Sequence, residues 1–279
     1  MKPERAGADK PVTAARENAA RENAAREGLR GRVVVITRPA GTAAALARQV
    51  RRHGGVPLLL PGLALRAADD PAAARAALRD ALDAELLLFT SPAAVRFAAA
   101  LCELRTSADV FAVGQGTARA LQRHGLQAQA PRQRQDSEGV LELPAFAQLH
   151  GRRVALVGAD GGRGVLRRQL AARGARLREV HVYRRTAPRL DRRHTQALMR
   201  LPASARVLLS SAEALQCLRQ RLPAPAWRHL CAATAVVSSE RLAAAVGAAG
   251  FARIVLASSA LSADLLAAAA RRAGPSAKA

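Results

Sequence analysis

Six short turns carry the residues with which this sequence could bind a ligand. Each follows a short apolar segment, leads into an amphipathic one, and is rich in serine, threonine or glycine. Hydroxyl groups and main-chain N–H groups at such positions bind carboxylate or phosphate oxygens. The turns are Thr37-Arg38-Pro39, Thr90-Ser91-Pro92, Gly114 to Thr117, Gly158 to Arg163, Ser210-Ser211 and Ser238-Ser239. The sequence therefore predicts an anion-binding site among them, although serine and threonine also cap helices for stability alone.

Tyr183 is the only tyrosine of the chain and a candidate functional side chain. It follows the apolar segment Leu177–Val182, which is predicted to be a strand, and it precedes Arg184 and Arg185. Its phenol can donate a hydrogen bond into a binding site, or its ring can simply pack against a neighbour. The six turns hold almost no other acid or base. An enzyme of this kind would therefore act mainly by orienting a reactive substrate.

Other familiar chemistries are missing from the sequence. The pattern Gly114-x-Gly116 lacks the third small residue of a dinucleotide fingerprint, and no Gly-Lys-Ser/Thr follows the glycines of Gly158 to Gly164. No nucleophile elbow is present, and neither the cysteines nor the histidines show metal-ligand spacing. We therefore predict neither a nucleotide cofactor nor a metal site.

The net charge of +23 comes almost entirely from arginine. A basic protein attracts polyanions, so binding of nucleic acid is one alternative function. The arginines are spread along the chain at helical spacing, however, and only 3% of residues are aromatic. We therefore expect no nucleic-acid partner. Because no apolar run approaches the roughly 20 residues of a membrane span and no apolar signal segment follows the first residues, we expect a cytoplasmic protein that does not bind membranes.

The elements that must position the turns alternate between strands and helices. Val33–Ile36 is followed by a helix from about Thr42, its expected N-cap, to His53, then by Gly54 and the strand Val56–Leu60. Continuous apolar strands between helices predict parallel sheets covered on both faces. Such units recur after about 120 residues, which indicates a duplicated domain, with the units grouped either sequentially or in an interleaved order.

Several of these segments together resemble the uroporphyrinogen-III synthase family. The resemblance covers residues 32 to 272, and its order and spacing are more specific than any single motif. The matching segments are Thr37-Arg38-Pro39, Phe89 to Val95, Ala112-Val113-Gly114 with Thr117-Ala118, Ser137-Glu138-Gly139, Gly161-Gly162-Arg163, Arg173-Gly174-Ala175 and Val182 to Arg185. The turn at Ser238-Ser239 departs from the family because it lacks the Gly-Pro-Thr that some members carry there.

The resemblance implies an α/β fold of two similar three-layer α/β/α domains with parallel sheets, interleaved by two extended crossover segments. One domain would combine residues 31–62 with 187–272, and the other would span 63–186. Residues 273–279 would form a tail. Residues 1–30, which contain the repeat AARENAARENAARE without an apolar stripe, are predicted to be a disordered or exposed helical extension.

The resemblance also implies an activity, the cyclisation of hydroxymethylbilane to uroporphyrinogen III with loss of water and inversion of ring D, without a cofactor. Tyr183 would assist departure of the substrate hydroxyl. The residues expected to bind the polycarboxylate substrate are Thr37, Arg38, Thr90, Ser91, Gly114, Thr117, Gly162, Arg163, Ser210, Ser211, Ser238 and Ser239. We expect a monomer. The alternative is a non-catalytic two-domain protein that binds an acidic small molecule, because no acid–base pair is evident.

Overall fold

The computed structural model describes residues 28–132, 134, 136–161, 164–209 and 211–271. Nearly all of the predicted extension 1–30 and the predicted tail 273–279 lie outside the described residues. The chain divides into two compact units. The first contains the described residues of Met1–Ala64 and Ala187–Ala279, and the second is Leu65–Thr186.

Ten strands alternate with helices along the described part of the chain. The strands are β1 (Val33–Ile36), β2 (Val56–Leu59), β3 (Ala64–Ala67), β4 (Leu86–Phe89), β5 (Asp109–Ala112), β6 (Arg153–Ala159), β7 (Arg176–Thr186), β8 (Arg206–Leu208), β9 (Thr234–Val237) and β10 (Arg253–Leu256). The helices are α1 (Ala44–Arg52), α2 (Pro71–Ala81), α3 (Pro92–Leu101), α4 (Gln115–Gln122), α5 (Ser137–Leu141), α6 (Val165–Ala172), α7 (Arg192–Met199), α8 (Ala212–Arg221), α9 (Ala224–Ala232), α10 (Glu240–Ala248) and α11 (Ser262–Ala270). Within the described residues, none of these helices has both the length and the apolar character needed to cross a membrane.

The sheet of the first unit draws its strands from both ends of the chain. Its order is β10-β9-β8-β1-β2, and each neighbouring pair is parallel. The sheet of the second unit has the order β3-β7-β6-β4-β5, in which β7, β6, β4 and β5 run parallel. Strand β1 from the first half of the chain is hydrogen-bonded to β8 from the second half, while the strands β3 to β7 between them form the other sheet. The repeated units of the sequence are therefore interleaved. The predicted α/β class with two parallel sheets is confirmed.

Strand β4 shows why the second unit has three layers. Its four residues are all fully buried, and their side chains alternate between two clusters. Leu87 and Phe89 pack with residues of α2, α3 and α4, whereas Leu86 and Leu88 pack with residues of α5 and α6. A strand covered by helices on both faces needs apolar side chains at every position, which is the pattern that the sequence shows.

The turn after β1 differs from the prediction. Helix α1 begins after Ala43, which makes no side-chain cap, and the Thr42 hydroxyl instead donates to the carbonyl oxygen of Pro39 at 2.7 Å. Thr42 therefore stabilises the turn and is not the N-cap. The end of the helix is as predicted, since Gly54 has a positive φ of 74° and follows the C-cap residue.

Strand β7 is longer than the predicted segment Leu177–Val182. It continues to Thr186, so Tyr183 lies within the strand rather than after it, and β7 has β3 and β6 as neighbours. Pairing with β3 continues the strand, and Arg184 forms a 2.7 Å ion pair with Asp69, which follows β3.

Candidate active site

A cleft of about 460 Å³ lies at the carboxyl edge of the sheet of the second unit. It is lined from the ends of β4, β6 and β7 and from the starts of α5 and α6. Its polar lining residues are Thr90, Ser91, Asp136, Ser137, Asp160, Arg167, Glu179, His181, Tyr183 and Arg185. Ligands bind at this edge in open parallel α/β sheets, because the strand-to-helix turns and helix N-termini converge there.

Tyr183 reaches this cleft from a buried position. Only 6% of the residue is exposed, and its ring is stacked on Phe97 of α3, with 5.3 Å between the ring centroids and 12° between the planes. The phenol oxygen lies 3.2 Å from Ser91 Oγ, and either hydroxyl can be the donor. Tyr183 therefore packs in the core and also lines the cleft, while its role as a hydrogen-bond donor to a ligand stays a prediction.

A β-bulge directs Tyr183 to this position. Gly158 of β6 pairs with His181, but the next residue, Ala159, pairs with Tyr183, so Val182 is an extra residue in β7. Val182 and Tyr183 consequently both pack in the cluster that includes α3, whereas His181 is exposed. A regular strand would have put Tyr183 on the same face as His181. Bulges commonly re-aim a side chain beside an active site in this way.

Gly158 allows the turn after β4 to approach β6 closely. The Thr90 hydroxyl donates to the carbonyl oxygen of Val157 at 3.2 Å. A Cβ added to Gly158 would lie 2.6 Å from Thr90 Oγ1, closer than real Cβ contacts allow. Ser91, the next residue, caps α3 by accepting a hydrogen bond from the Ala94 N–H at 3.0 Å. These contacts hold the hydroxyl groups of the turn at the rim of the cleft.

Sequence reasoning missed most of the ionisable residues of the cleft, although Asp160 lies in the predicted turn Gly158 to Arg163. Asp136, Asp160, Glu179 and His181 line it, although the predicted turns held almost no acid or base. They stand on three parts of the chain, the start of α5, the turn after β6 and strand β7, and converge only in the folded chain. One signal was available, since Glu179 and His181 are two residues apart and would share a polar face of a regular strand.

Two of these carboxylates have defined partners within the cleft region. Asp136 accepts a hydrogen bond from the Gly139 N–H at 2.9 Å, which caps α5, and it also pairs with Arg134 at 2.9 Å. Glu179 lies 3.9 Å from a guanidinium nitrogen of Arg167 on α6. The cleft is therefore lined by positively charged hydrogen-bond donors and by negatively charged acceptors. In the part of the chain that the structure describes, no cluster of three or more His, Cys, Asp or Glu residues could hold a metal ion.

The structure brings together only some of the predicted residues of the second unit. Thr90, Ser91 and Tyr183 line the cleft, while Gly114 and Thr117 do not. Gly114 is the N-cap of α4, and Thr117 is buried in that helix, so their surroundings favour a structural role. Gly162 and Arg163 lie outside the described residues, although Gly161 and Gly164 on either side of them line the cleft.

The predicted residues of the first unit have mixed surroundings. Thr37 is fully buried and its hydroxyl donates to the carbonyl oxygen of Leu208 at 2.8 Å, which favours a structural role. Ser211 and Ser239 cap α8 and α10 with their hydroxyls. Ser238 is half-buried, and Ser210 lies outside the described residues. Helix capping therefore accounts for Ser211 and Ser239 without a ligand.

Arg38 is the charged residue among these predicted positions. It is half-buried, and its guanidinium donates to the hydroxyl of Ser262 at 3.2 Å. Burial lowers the pKa of Arg38 from its ordinary value. A partly desolvated guanidinium that contacts a neutral hydroxyl gains from an anionic ligand, because the anion would compensate its buried charge.

These features define a class of protein: a two-unit parallel α/β protein with a mixed-charge cleft at the strand ends of one unit and a buried phenol at its rim.

Comparison with known proteins gives the family. A model of the family "Uroporphyrinogen-III synthase HemD" matches residues 44–267. The uroporphyrinogen-III synthase of Salmonella typhimurium is 30% identical over 223 residues, which cover 75% of this chain and 88% of that protein. The synthase of Escherichia coli is 30% identical over 225 residues, with the same coverage.

Solved structures show the same fold. A uroporphyrinogen III synthase mutant from Thermus thermophilus has a TM-score of 0.55 and 21% identity, covering 85% of this chain and 96% of its own. The uroporphyrinogen-III synthetase of Helicobacter pylori has a TM-score of 0.52 and 17% identity, covering 84% and 96%. The chain belongs to the uroporphyrinogen-III synthase family. The resemblance seen in the sequence is confirmed, and with it the enzyme class, a cyclising lyase of haem biosynthesis.

Proposed function

We propose that the cleft of the second unit is where this synthase closes hydroxymethylbilane to uroporphyrinogen III, with Tyr183 as the catalytic residue. The observation that carries this proposal is the position of the Tyr183 hydroxyl. A buried ring holds it at the cleft, 3.2 Å from Ser91 Oγ. The volume of about 460 Å³ suits a ligand of modest size, so the cleft would hold the reacting end of the linear tetrapyrrole.

Tyr183 would assist the first chemical event, the departure of the substrate hydroxyl. A hydroxyl is a poor leaving group unless its oxygen receives a hydrogen bond or a proton as the carbon–oxygen bond breaks. The bond breaks next to a pyrrole ring, which spreads the positive charge left on carbon. The carboxylates of Asp136, Asp160 and Glu179 line the same cleft and would favour that charge.

The remaining task is positioning. Without guidance the chain of rings closes to the symmetrical isomer, so the enzyme must hold ring D in the inverted arrangement while excluding release. Ser91, Arg167 and Arg185 supply donors for substrate carboxylates at the cleft. The net charge of +23 would attract a polycarboxylate from solution.

Analysis of the product isomers tests the proposed function. The protein is incubated with freshly prepared hydroxymethylbilane, and the oxidised products are resolved by chromatography. We expect isomer III to dominate with enzyme and the symmetrical isomer to dominate without it. A product mixture no richer in isomer III than the enzyme-free control would refute the proposal and would favour the non-catalytic binding protein.

Arg38 is proposed to bind a substrate carboxylate. We expect Arg38→Gln to lower kcat/KM by about tenfold, mainly through KM, because one charge-assisted hydrogen bond is lost. Steady-state kinetics on hydroxymethylbilane measures the effect. Arg48→Gln on α1, which removes an exposed arginine, is the matched control for the change in net charge. Equal kinetics of the two variants would contradict a binding role for Arg38.

The cellular setting of the enzyme stays a prediction from the sequence. We propose a cytoplasmic monomer that binds neither nucleic acid nor membranes, supported by the dispersed arginines and the small aromatic content. Light scattering of the purified protein would measure its mass, and a mass of two chains would contradict the monomer.

A further inference from the structure

Helix α3 contacts Tyr183 at two separate points. Ser91, the N-cap of α3, meets the phenol oxygen at 3.2 Å. Phe97, in the second turn of the same helix, stacks on the phenol ring at 5.3 Å with nearly parallel planes. The Arg96 guanidinium carbon lies 4.9 Å from the centre of the Phe97 ring, a cation–π contact.

The bulge in β7 makes the second contact necessary. The extra residue, Val182, turns Tyr183 onto the face of the sheet that α3 covers. At the bulge, side chains no longer alternate regularly between the two faces of the sheet, so strand pairing alone does not fix the direction of the Tyr183 side chain. A hydrogen bond to Ser91 alone would leave Tyr183 free to turn about its Cα–Cβ bond, the torsion that decides where the phenol oxygen lies. The flat face of Phe97 removes that freedom.

We propose that Phe97 is a positioning residue that acts through Tyr183: its stacked ring holds the phenol oxygen at the rim of the cleft beside Ser91. This inference rests on the proposed catalytic role of Tyr183. Phe97 itself is not among the residues that line the cleft. Its effect should therefore appear in the rate of the chemical step rather than in substrate binding.

The test compares Phe97→Leu with Phe97→Trp. Leucine keeps an apolar side chain but has no flat face, and tryptophan keeps the face. We expect Phe97→Leu to lower kcat about three- to tenfold with KM nearly unchanged, in line with the usual strength of an aromatic pair. Phe97→Trp should retain most of kcat. Leu101→Ala, one turn further along α3 and packed on the same cluster, is the control and should keep the wild-type kcat.

A spectroscopic measurement reports on the contact between Tyr183 and Phe97 independently of activity. Because the chain has a single tyrosine, a sample labelled with ¹³C-tyrosine gives the ring signals of Tyr183 alone. The stacked Phe97 ring should shift these signals through its ring current. We expect Phe97→Leu to abolish that shift, and Leu101→Ala to preserve it. Circular dichroism confirms that each variant is folded.

The double variant separates this inference from the proposed function. If Phe97 acts through Tyr183, Phe97→Leu will lower kcat in the wild type but not further in Tyr183→Phe. If Phe97→Leu changed neither kcat nor the tyrosine signals, the positioning role of Phe97 would be overturned. A reduced kcat of Tyr183→Phe in the same experiment would still support the catalytic role of Tyr183. An equal loss from Phe97→Leu in both backgrounds would also overturn it. Full activity of Tyr183→Phe would instead reject the catalytic role, and the positioning role with it.

Discussion

Tyr183→Phe is expected to lower kcat for cyclisation of hydroxymethylbilane by about a hundredfold or more while leaving the fold intact. The magnitude follows from the usual contribution of a positioned acid to a reaction that must expel a poor leaving group. Phenylalanine keeps the ring that packs on Phe97 and removes only the hydroxyl that meets Ser91. The loss should therefore appear in kcat, with a smaller change in KM.

The measurement is the initial rate of isomer III formation at saturating substrate, with folding checked by circular dichroism. Thr106→Val provides a matched control, because it also removes a single hydrogen-bonded hydroxyl from the second unit. The Thr106 hydroxyl donates to the carbonyl oxygen of Leu82, and Thr106 does not line the cleft. That variant should keep the wild-type kcat. A rate for Tyr183→Phe within twofold of the control would show that the phenol is dispensable.

Arg206→Leu should produce the largest loss of stability among arginine substitutions in the first unit, about 3 kcal/mol in the free energy of unfolding. Arg206 begins β8 and is only 4% exposed. Its guanidinium donates to Thr234 Oγ1 and to three main-chain carbonyls. The acceptor distances are 2.9 Å to Ala269, 3.0 Å to Arg271, 3.1 Å to Ser204 and 3.1 Å to Thr234.

These contacts join the first residue of β8 to the end of α11. Burial, together with the nearby Arg32 and Arg253, lowers the pKa of Arg206 to about 10, so the side chain remains charged at neutral pH. Leucine cannot donate hydrogen bonds and would leave the carbonyl of the buried residue Ala269 without this donor, and also that of the exposed residue Arg271. An unsatisfied buried acceptor costs about 1–3 kcal/mol.

Urea unfolding followed by circular dichroism tests this expectation through the midpoint of the transition. Arg253→Leu is the matched control, since Arg253 also donates to main-chain carbonyls, those of Ala203 and Ala232, from a more exposed position. It should cost less than about 1 kcal/mol. Equal midpoints for the two variants would mean that burial of Arg206 does not strengthen its contacts.

Local patterns in the sequence were sufficient for most of the secondary structure. The run Leu86–Phe89 is a buried strand because four consecutive large apolar residues are stable only between two helical layers. Gly54 and Gly174 end helices with φ near +74° and +80°, a conformation that favours glycine. The family could also be recognised, because its short motifs occupy the strand-to-helix turns and keep their order along the chain.

The candidate site could not be predicted in the same way, because it is formed by contacts between residues that are far apart in the sequence. Nothing near Tyr183 in the sequence indicates that β7 contains a bulge, because the bulge exists only in the register between β6 and β7. Likewise, Asp136, Asp160 and Glu179 stand on three separate elements, and each looks like an ordinary surface carboxylate until the fold places it at the cleft. Thr37 and Thr117 show the opposite case. Their positions in a turn or at a helix start predict contact with a ligand, but both residues are buried in the structure.

The sequence by itself determined the α/β class, most of the strands, the candidate turns and the identity of the one phenol, since these depend on residue type and on spacing within a single element. Only the tertiary structure decided which turns share a cleft, that Tyr183 lies within β7 and stacks on Phe97, and that Arg206 is buried beneath α11. Those features depend on strand order and register, which join residues far apart in the chain. They follow from the packing of whole sheets and helices, which no local pattern specifies.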